Sequence, residues 1–159
     1  MAKTILIVDD DPTQRRLLQA VVEKSGFLTL QADNGDKALD MAMGSEGEKI
    51  DVVMLDLVMP GRNGMDTLTE LTKHRPGLPV IVLTGKGSID AVVSAMKAGA
   101  RDFVVKPASP ERLIVCIRNA LEINNLTTEV KRLNKTTKNE LTFTDLIGSV
   151  QRVIYQILM

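Results

Sequence analysis

Cysteine and histidine are nearly absent from this sequence. Cys116 is the only cysteine and His74 the only histidine among 159 residues. No disulfide can form within the chain, which fits a reducing compartment, and the usual zinc constellations are excluded. Cys116 falls among Leu113, Ile114, Val115 and Ile117 on an expected helix, so it is read as a small buried hydrophobe, not a reactive thiol. His74, in Lys73-His74-Arg75-Pro76, closes a helix beside two cations and is read as a solvated last-turn residue. Net charge is missing as well, since twenty basic residues cancel twenty acidic ones. That balance gives no electrostatic footprint for nucleic acid and no basic face for a membrane. No apolar run approaches transmembrane length, no signal-peptide pattern opens the chain, and there are no repeats. The expectation is a cytoplasmic protein without a membrane partner.

What is present is a packed core and a regular alternation. Hydrophobic residues make up 44% and charged residues 25%, a globular balance. The length suits one domain with something left over. The run Val52-Val53-Met54-Leu55 ends in Asp56, and Met59-Pro60-Gly61 makes a turn shortly after. Such a run, bounded by turn signals, predicts a strand buried on both faces. Thr4 to Val8, Phe27 to Gln31, Val80 to Leu83 and Arg101 to Val105 are the other expected strands. Helices are expected between them. The first starts at Asp11-Pro12 with Leu17, Leu18, Val21 and Val22 on one face, and the second carries Ala38, Leu39 and Ala42. The third carries Met65, Leu68 and Leu71. The fourth has Ile89, Val92, Val93 and Met96 inward, and the fifth starts at Ser109-Pro110-Glu111. Five buried strands with short helical connections predict an α/β fold, a doubly wound parallel sheet with right-handed crossovers.

Four strand ends carry chemistry. Ile5-Leu6-Ile7-Val8 runs into Asp9 and Asp10, the central run into Asp56, Val80-Ile81-Val82-Leu83 into Thr84, and Phe103-Val104-Val105 into Lys106. Open α/β sheets bind ligands at the C-terminal edges of their strands. Three carboxylates crowded there repel one another unless a cation intervenes. Every available ligand is oxygen, which points to a hard divalent ion such as Mg²⁺. A carboxylate beside Mg²⁺ is a workable nucleophile toward phosphorus. Lys106 can pair with carboxylate or phosphoryl oxygens, and Thr84 can donate a hydrogen bond to them. Gly85-Lys86-Gly87-Ser88 lacks the spacing of a phosphate-binding loop.

The set Val8-Asp9-Asp10, Leu55-Asp56-Leu57-Val58-Met59-Pro60-Gly61, Leu83-Thr84-Gly85 and Lys106-Pro107 resembles the receiver domain of two-component response regulators. The resemblance covers residues 3 to about 120. It implies a flavodoxin-like sheet in the order 2-1-3-4-5 and a phosphorylation-activated switch that takes its phosphoryl group from a sensor histidine kinase on Asp56. It further implies Mg²⁺ held by Asp10, Asp56 and the carbonyl of Val58 with Asp9 assisting, Thr84 and Lys106 on the phosphoryl group, and Phe103 as the switch aromatic. A cis bond at Lys106-Pro107 is usual in the family. Ala108 departs from it, standing where a bulky apolar residue is common. Such a domain is not an enzyme beyond its own phosphotransfer and dephosphorylation.

The remaining residues carry weaker signals. Residues 1–120 are expected to form the receiver and 121–140 an extended C-terminal helix and linker. Ile123, Leu126, Val130 and Leu133 make a short apolar seam there, suited to a parallel homodimer with the fourth and fifth helices near its axis. Residues 141–159 are expected to open a truncated second domain. Phe143-Thr144-Asp145-Leu146-Ile147-Gly148-Ser149 resembles the start of the ATPase domain of enhancer-binding activators that work with the alternative sigma factor. DNA and that sigma factor would be reached only through domains outside this chain. One rival uses the same first strand: Asp9-Asp10-Asp11-Pro12-Thr13 fits the nucleophile motif of haloacid-dehalogenase-like phosphohydrolases, with Asp9 attacking and Asp11 as general acid. That chemistry wants further acids after the lysine, where Glu111 and Glu122 are the only nearby carboxylates, and it leaves Asp56 and Met59-Pro60-Gly61 unexplained.

Overall fold

A computed structural model describes residues 2–57, 64–85 and 89–122. In chain order the elements are β1 (Thr4–Val8), α1 (Pro12–Lys24), β2 (Leu28–Ala32), α2 (Gly35–Met43), a 3-10 turn (Gly47–Lys49), β3 (Ile50–Asp56), α3 (Gly64–His74), β4 (Val80–Thr84), α4 (Ile89–Lys97) and β5 (Asp102–Val105). A fifth helix, α5, covers 110–122. All strand pairs are parallel and the sheet order is β2-β1-β3-β4-β5, the doubly wound arrangement expected.

The apolar strands are continuous because both faces of the sheet are covered. Leu6, Val8, Val53, Leu55, Val80 and Val82 pack with Ala38, Ala42, Leu68, Leu71 and Ala95, so α2, α3 and α4 lie on one face. Their neighbours Ile5, Ile7, Val52, Met54, Ile81 and Leu83 turn the other way, onto Leu18, Val22, Leu113, Cys116 and Ile117 of α1 and α5. Helix starts follow local chemistry. The Asp11 carboxylate accepts the Thr13 N–H at 2.9 Å with Pro12 at the first helical position. Asn34 accepts from Lys37 at 2.8 Å, and Ser109 Oγ from Arg112 at 3.2 Å. These bonds satisfy donors that a helix start leaves orphaned.

Several expected details shift. β2 begins at Leu28 because Gly26 takes φ 93° and the Phe27 N–H still bonds Val22 at the end of α1. Of the four apolar residues assigned to the inner face of α1, Leu18 and Val22 are buried, whereas Leu17 is exposed. The inward face of α4 is only partly the one expected: Met96 packs against the core and Val92 is half-buried, but Ile89 is 74% and Val93 47% exposed, while Ala95 is buried with Ala91 beside it. An alanine stripe lets this short helix approach the sheet, which the larger side chains would hold away. The Ser45 to Lys49 loop contains the Gly47–Lys49 turn. Arg75 of the segment after α3 donates through Nη1 to the carbonyls of Ala42, at 3.2 Å, and of Gly47. His74 is exposed and pairs with Glu70 one turn earlier.

The chain divides into two units, Met1–Leu121 and Glu122–Met159. The seam from Ile123 to Leu133 and the segment 141–159 lie outside the described residues. No helix among the described residues is long and apolar enough to cross a membrane.

Candidate functional site

One edge of the sheet collects the chemistry because each strand ends at a similar level. β1 stops at Val8, leaving Asp9 and Asp10 just past its end; Asp56 and Thr84 are the last residues of β3 and β4; Lys106 follows β5. The register pairs Val8 with Leu55, Asp56 with Leu83, and Thr84 with Val105, so these ends lie side by side. β1 and β3 are also where the winding of the sheet reverses, the place at which such sheets open a crevice.

Carboxylate oxygens of Asp9, Asp10 and Asp56 lie within 4.8 Å of one another. Lys106 Nζ donates to Asp56 Oδ2 at 2.9 Å and stands 3.7 Å from Asp9 Oδ2. Asp9 is almost fully buried. Its Oδ1 accepts the Asp11 N–H at 2.9 Å, while Oδ2 is buried without a hydrogen bond. Burial pushes the Asp9 carboxyl above the usual carboxylate range, against the Asp11 N–H and the Lys106 charge. Burial also works against the charge on Lys106, yet the hydrogen bond and charge of Asp56, with the charge of Asp9, outweigh it and hold the ammonium above the usual lysine range.

Three carboxylates against one ammonium leave an excess of two negative charges, which one divalent cation cancels. The donor set is all oxygen, and Asp9 Oδ2 faces the Lys106 ammonium at 3.7 Å without accepting a hydrogen bond. Both properties fit a hard divalent ion. Val58, whose carbonyl was expected to complete the set, lies outside the described residues.

Thr84 is buried, and its hydroxyl donates a long 3.5 Å bond to the Gly85 carbonyl. Phe103 is half-buried against the α2–α3–α4 side of the core. The Lys106-Pro107 bond is cis. The small Ala108 leaves room beside it, since Ala108 lines a cavity of about 480 Å³ together with Leu17, Lys106, Pro107 and Pro110.

Three features escaped the sequence reading. Arg15, in the first turn of α1, donates through Nη1 to the Asp9 carbonyl at 2.8 Å and ties the acidic loop to the helix. Arg112 Nη2 donates to the Phe103 carbonyl at 3.3 Å, and Asp102 Oδ1 accepts the Phe103 N–H at 2.8 Å, so the outer edge of β5 is covered at this aromatic residue. At Gly64 a Cβ would stand 2.5 Å from Leu57 Cα and 2.8 Å from the Asp56 carbonyl oxygen. The start of α3 thus presses on the backbone that presents Asp56. A basic residue one turn after an acidic triplet was a legible hint for Arg15; Gly64 stands as the last glycine of a Met-Pro-Gly-x-x-Gly pattern, which did not show its close approach to Leu57, and Arg112 carried no hint.

Fold and site together define a doubly wound α/β domain with an acidic, lysine-braced, cation-compatible crevice at its switch point. The chain belongs to the response regulator receiver domain family, whose pattern matches residues 5–118. It is 35% identical to the transcriptional regulatory protein ResD of Bacillus subtilis over 142 residues, covering 89% of this chain and 57% of ResD. A response regulator receiver domain protein from Clostridium thermocellum shares its fold at a TM-score of 0.74 and 35% identity, over 78% of this chain and 98% of the other. NtrX from Brucella abortus aligns over 96% of this chain and 35% of its own, with TM-score 0.79 and 34% identity. The chain therefore spans little more than half of ResD and about a third of NtrX.

Proposed function

We propose that this chain is a phosphorylation-activated switch of a two-component system, with Asp56 accepting a phosphoryl group from a histidine kinase. The observation that carries the reading is the 2.9 Å contact between Lys106 Nζ and Asp56 Oδ2, inside a ring formed with Asp9 and Asp10. An Asp56 carboxylate oxygen bonds to phosphorus as the donor's P–N bond breaks, giving an aspartyl-phosphate. Asp10, Asp56 and the Val58 carbonyl, with Asp9 assisting, would hold Mg²⁺, which would supply charge neutralisation for the phosphoryl oxygens. Lys106 stays paired with the charge as it moves from carboxylate to phosphoryl group. Thr84, weakly held by its present partner, turns its hydroxyl toward the added oxygens, and Phe103 moves into the space Thr84 leaves. The domain catalyses only its own phosphotransfer and dephosphorylation.

The rest of the reading concerns context. The extent of the NtrX alignment and the Phe143 to Ser149 segment support an output domain of the enhancer-binding, alternative-sigma-factor type, hence transcriptional activation in the cytoplasm. Homodimerisation belongs to the same reading. Asp9 as a phosphohydrolase nucleophile is disfavoured, because the Asp11 carboxylate, its general acid in that reading, is engaged in capping α1. Phosphorylation with a small phosphodonor and Mg²⁺, followed by borohydride reduction, tests the proposal. Homoserine should appear at position 56; reduction product at position 9 alone would reject it.

A further inference from the structure

We infer that Arg15 is a positioning residue, one that sets the Mg²⁺ affinity of the crevice by fixing Asp10; this rests on reading the crevice as a Mg²⁺ site. Arg15 makes two hydrogen bonds to the acidic loop. Its guanidinium donates through Nη1 to the Asp9 carbonyl at 2.8 Å, and its backbone N–H donates to the Asp11 carbonyl at 3.0 Å. Asp10 lies between the two carbonyls that Arg15 holds.

The three acids are otherwise held unequally. Asp9 is buried; its N–H bonds the Ala32 carbonyl and its Oδ1 accepts the Asp11 N–H. Asp56 is buried and accepts from the Lys106 ammonium. Asp10 is exposed, and among the described residues no group donates a hydrogen bond to its carboxylate. Its direction is therefore set by its backbone. A peptide unit is planar, so a bond to the Asp9 carbonyl oxygen also fixes the Asp10 nitrogen and the α-carbon from which the side chain departs. Carboxylate oxygens within 4.8 Å of one another repel, and swinging Asp10 outward is the easiest relief for a metal-free crevice. The charge-assisted Arg15 bond resists that swing. Holding a ligand in its bound arrangement lowers the cost of binding, and groups that orient metal ligands typically change affinity by about 10–100-fold. The Arg15 charge acts the other way. A cation near the crevice repels a dication, so removing the charge alone would tighten Mg²⁺ binding. The two effects differ in sign, and the sign identifies the role.

Mg²⁺ titration of the full chain, followed in amide nitrogen–proton NMR spectra, is the test. Arg15→Met should raise the Mg²⁺ dissociation constant about tenfold. Arg16 is exposed and neighbours Arg15, so Arg16→Met removes an equal charge and should leave the constant no higher than in the wild type. Arg15→Lys keeps the charge on a shorter stem and should fall between wild type and Arg15→Met. In an Asp10→Asn background, Arg15→Met should weaken binding no further, because the residue it acts through is already lost. The Asp10 amide belongs to the peptide that Arg15 holds, so its nitrogen resonance should shift in metal-free Arg15→Met. An Arg15→Met protein that binds Mg²⁺ as tightly as wild type, or more tightly, overturns the inference. So does a loss as large in the Asp10→Asn background as in the wild type. Should Arg15→Met fail to fold, Arg15→Lys decides alone: weaker binding supports the inference and unchanged binding overturns it. A wild type without saturable Mg²⁺ binding overturns the metal reading together with the inference, whereas the other contrary results leave that reading standing.

Discussion

Lys106 and Asp56 stand fifty residues apart in sequence and 2.9 Å apart in space. Lys106 also faces Asp9 at 3.7 Å, so a single ammonium braces two buried carboxylates. Replacing it by methionine keeps the stem and removes the charge. Lys106→Met should destabilise the metal-free protein by about 1–3 kcal/mol, because buried carboxylates lose their counterion. The Lys106 pKa is raised in the folded state, so its contribution is fully present below the unfolded value. It is lost as pH rises through the raised one. Urea melts should show a constant gap between wild type and variant from neutral pH up to about pH 10, shrinking above it.

Asp9 carries the opposite sign. Its folded pKa is raised, so in the acid window between its unfolded and folded values the native state holds more protons. Stability falls as pH rises through that window and stays lowered at neutral pH. Asp9→Asn should therefore melt no lower than wild type at pH 7 without metal, and its advantage should fade below about pH 4. Added Mg²⁺ should raise the wild-type melting temperature by mass action and raise that of the variant less. An Asp9→Asn protein less stable than wild type at pH 7 without metal would contradict the burial argument.

Gly64 offers a steric test away from the charges. A Cβ there would meet Leu57 Cα at 2.5 Å and backbone oxygens of Leu57 and Asp56 at 2.6 and 2.8 Å. Backbone cannot yield as a flexible side chain can. Gly64→Ala should cost about 2 kcal/mol or more by denaturant melts. It should also slow phosphorylation, since the displaced atoms carry Asp56.

Cys116 should be silent. It is fully buried, and burial, with the neighbouring Asp102 charge, pushes its thiol up to about 12. The native protein should resist thiol reagents at pH 8 and react only on unfolding. Between about pH 9 and 12 the unfolded thiol ionises while the folded one does not, so stability falls as pH rises, by up to about 1.4 kcal/mol per unit. Cys116→Ala should flatten that part of the alkaline slope, whatever offset its lost volume imposes.

The strand ends were legible because each depends on a local signal, a buried apolar run broken by one polar residue. That signal located Asp9, Asp10, Asp56, Thr84 and Lys106. It failed on α4, where hydrophobicity favoured Ile89 and Val93 but close approach to the sheet favoured Ala91 and Ala95. Neither the contact of Arg112 with Phe103 nor the close approach of Gly64 to Leu57 was legible, although Gly64 itself fits the receiver pattern Met-Pro-Gly-x-x-Gly. Both are contacts between segments whose approach is set by tertiary packing, and periodicity does not encode it.

Intact-protein mass after exposure to a small phosphodonor with Mg²⁺ tests the central claim most directly. Wild type and Asp11→Asn should each gain one phosphoryl group, and Asp56→Asn should gain none. An Asp56→Asn protein that still labels, beside an Asp9→Asn protein that does not, would contradict the account.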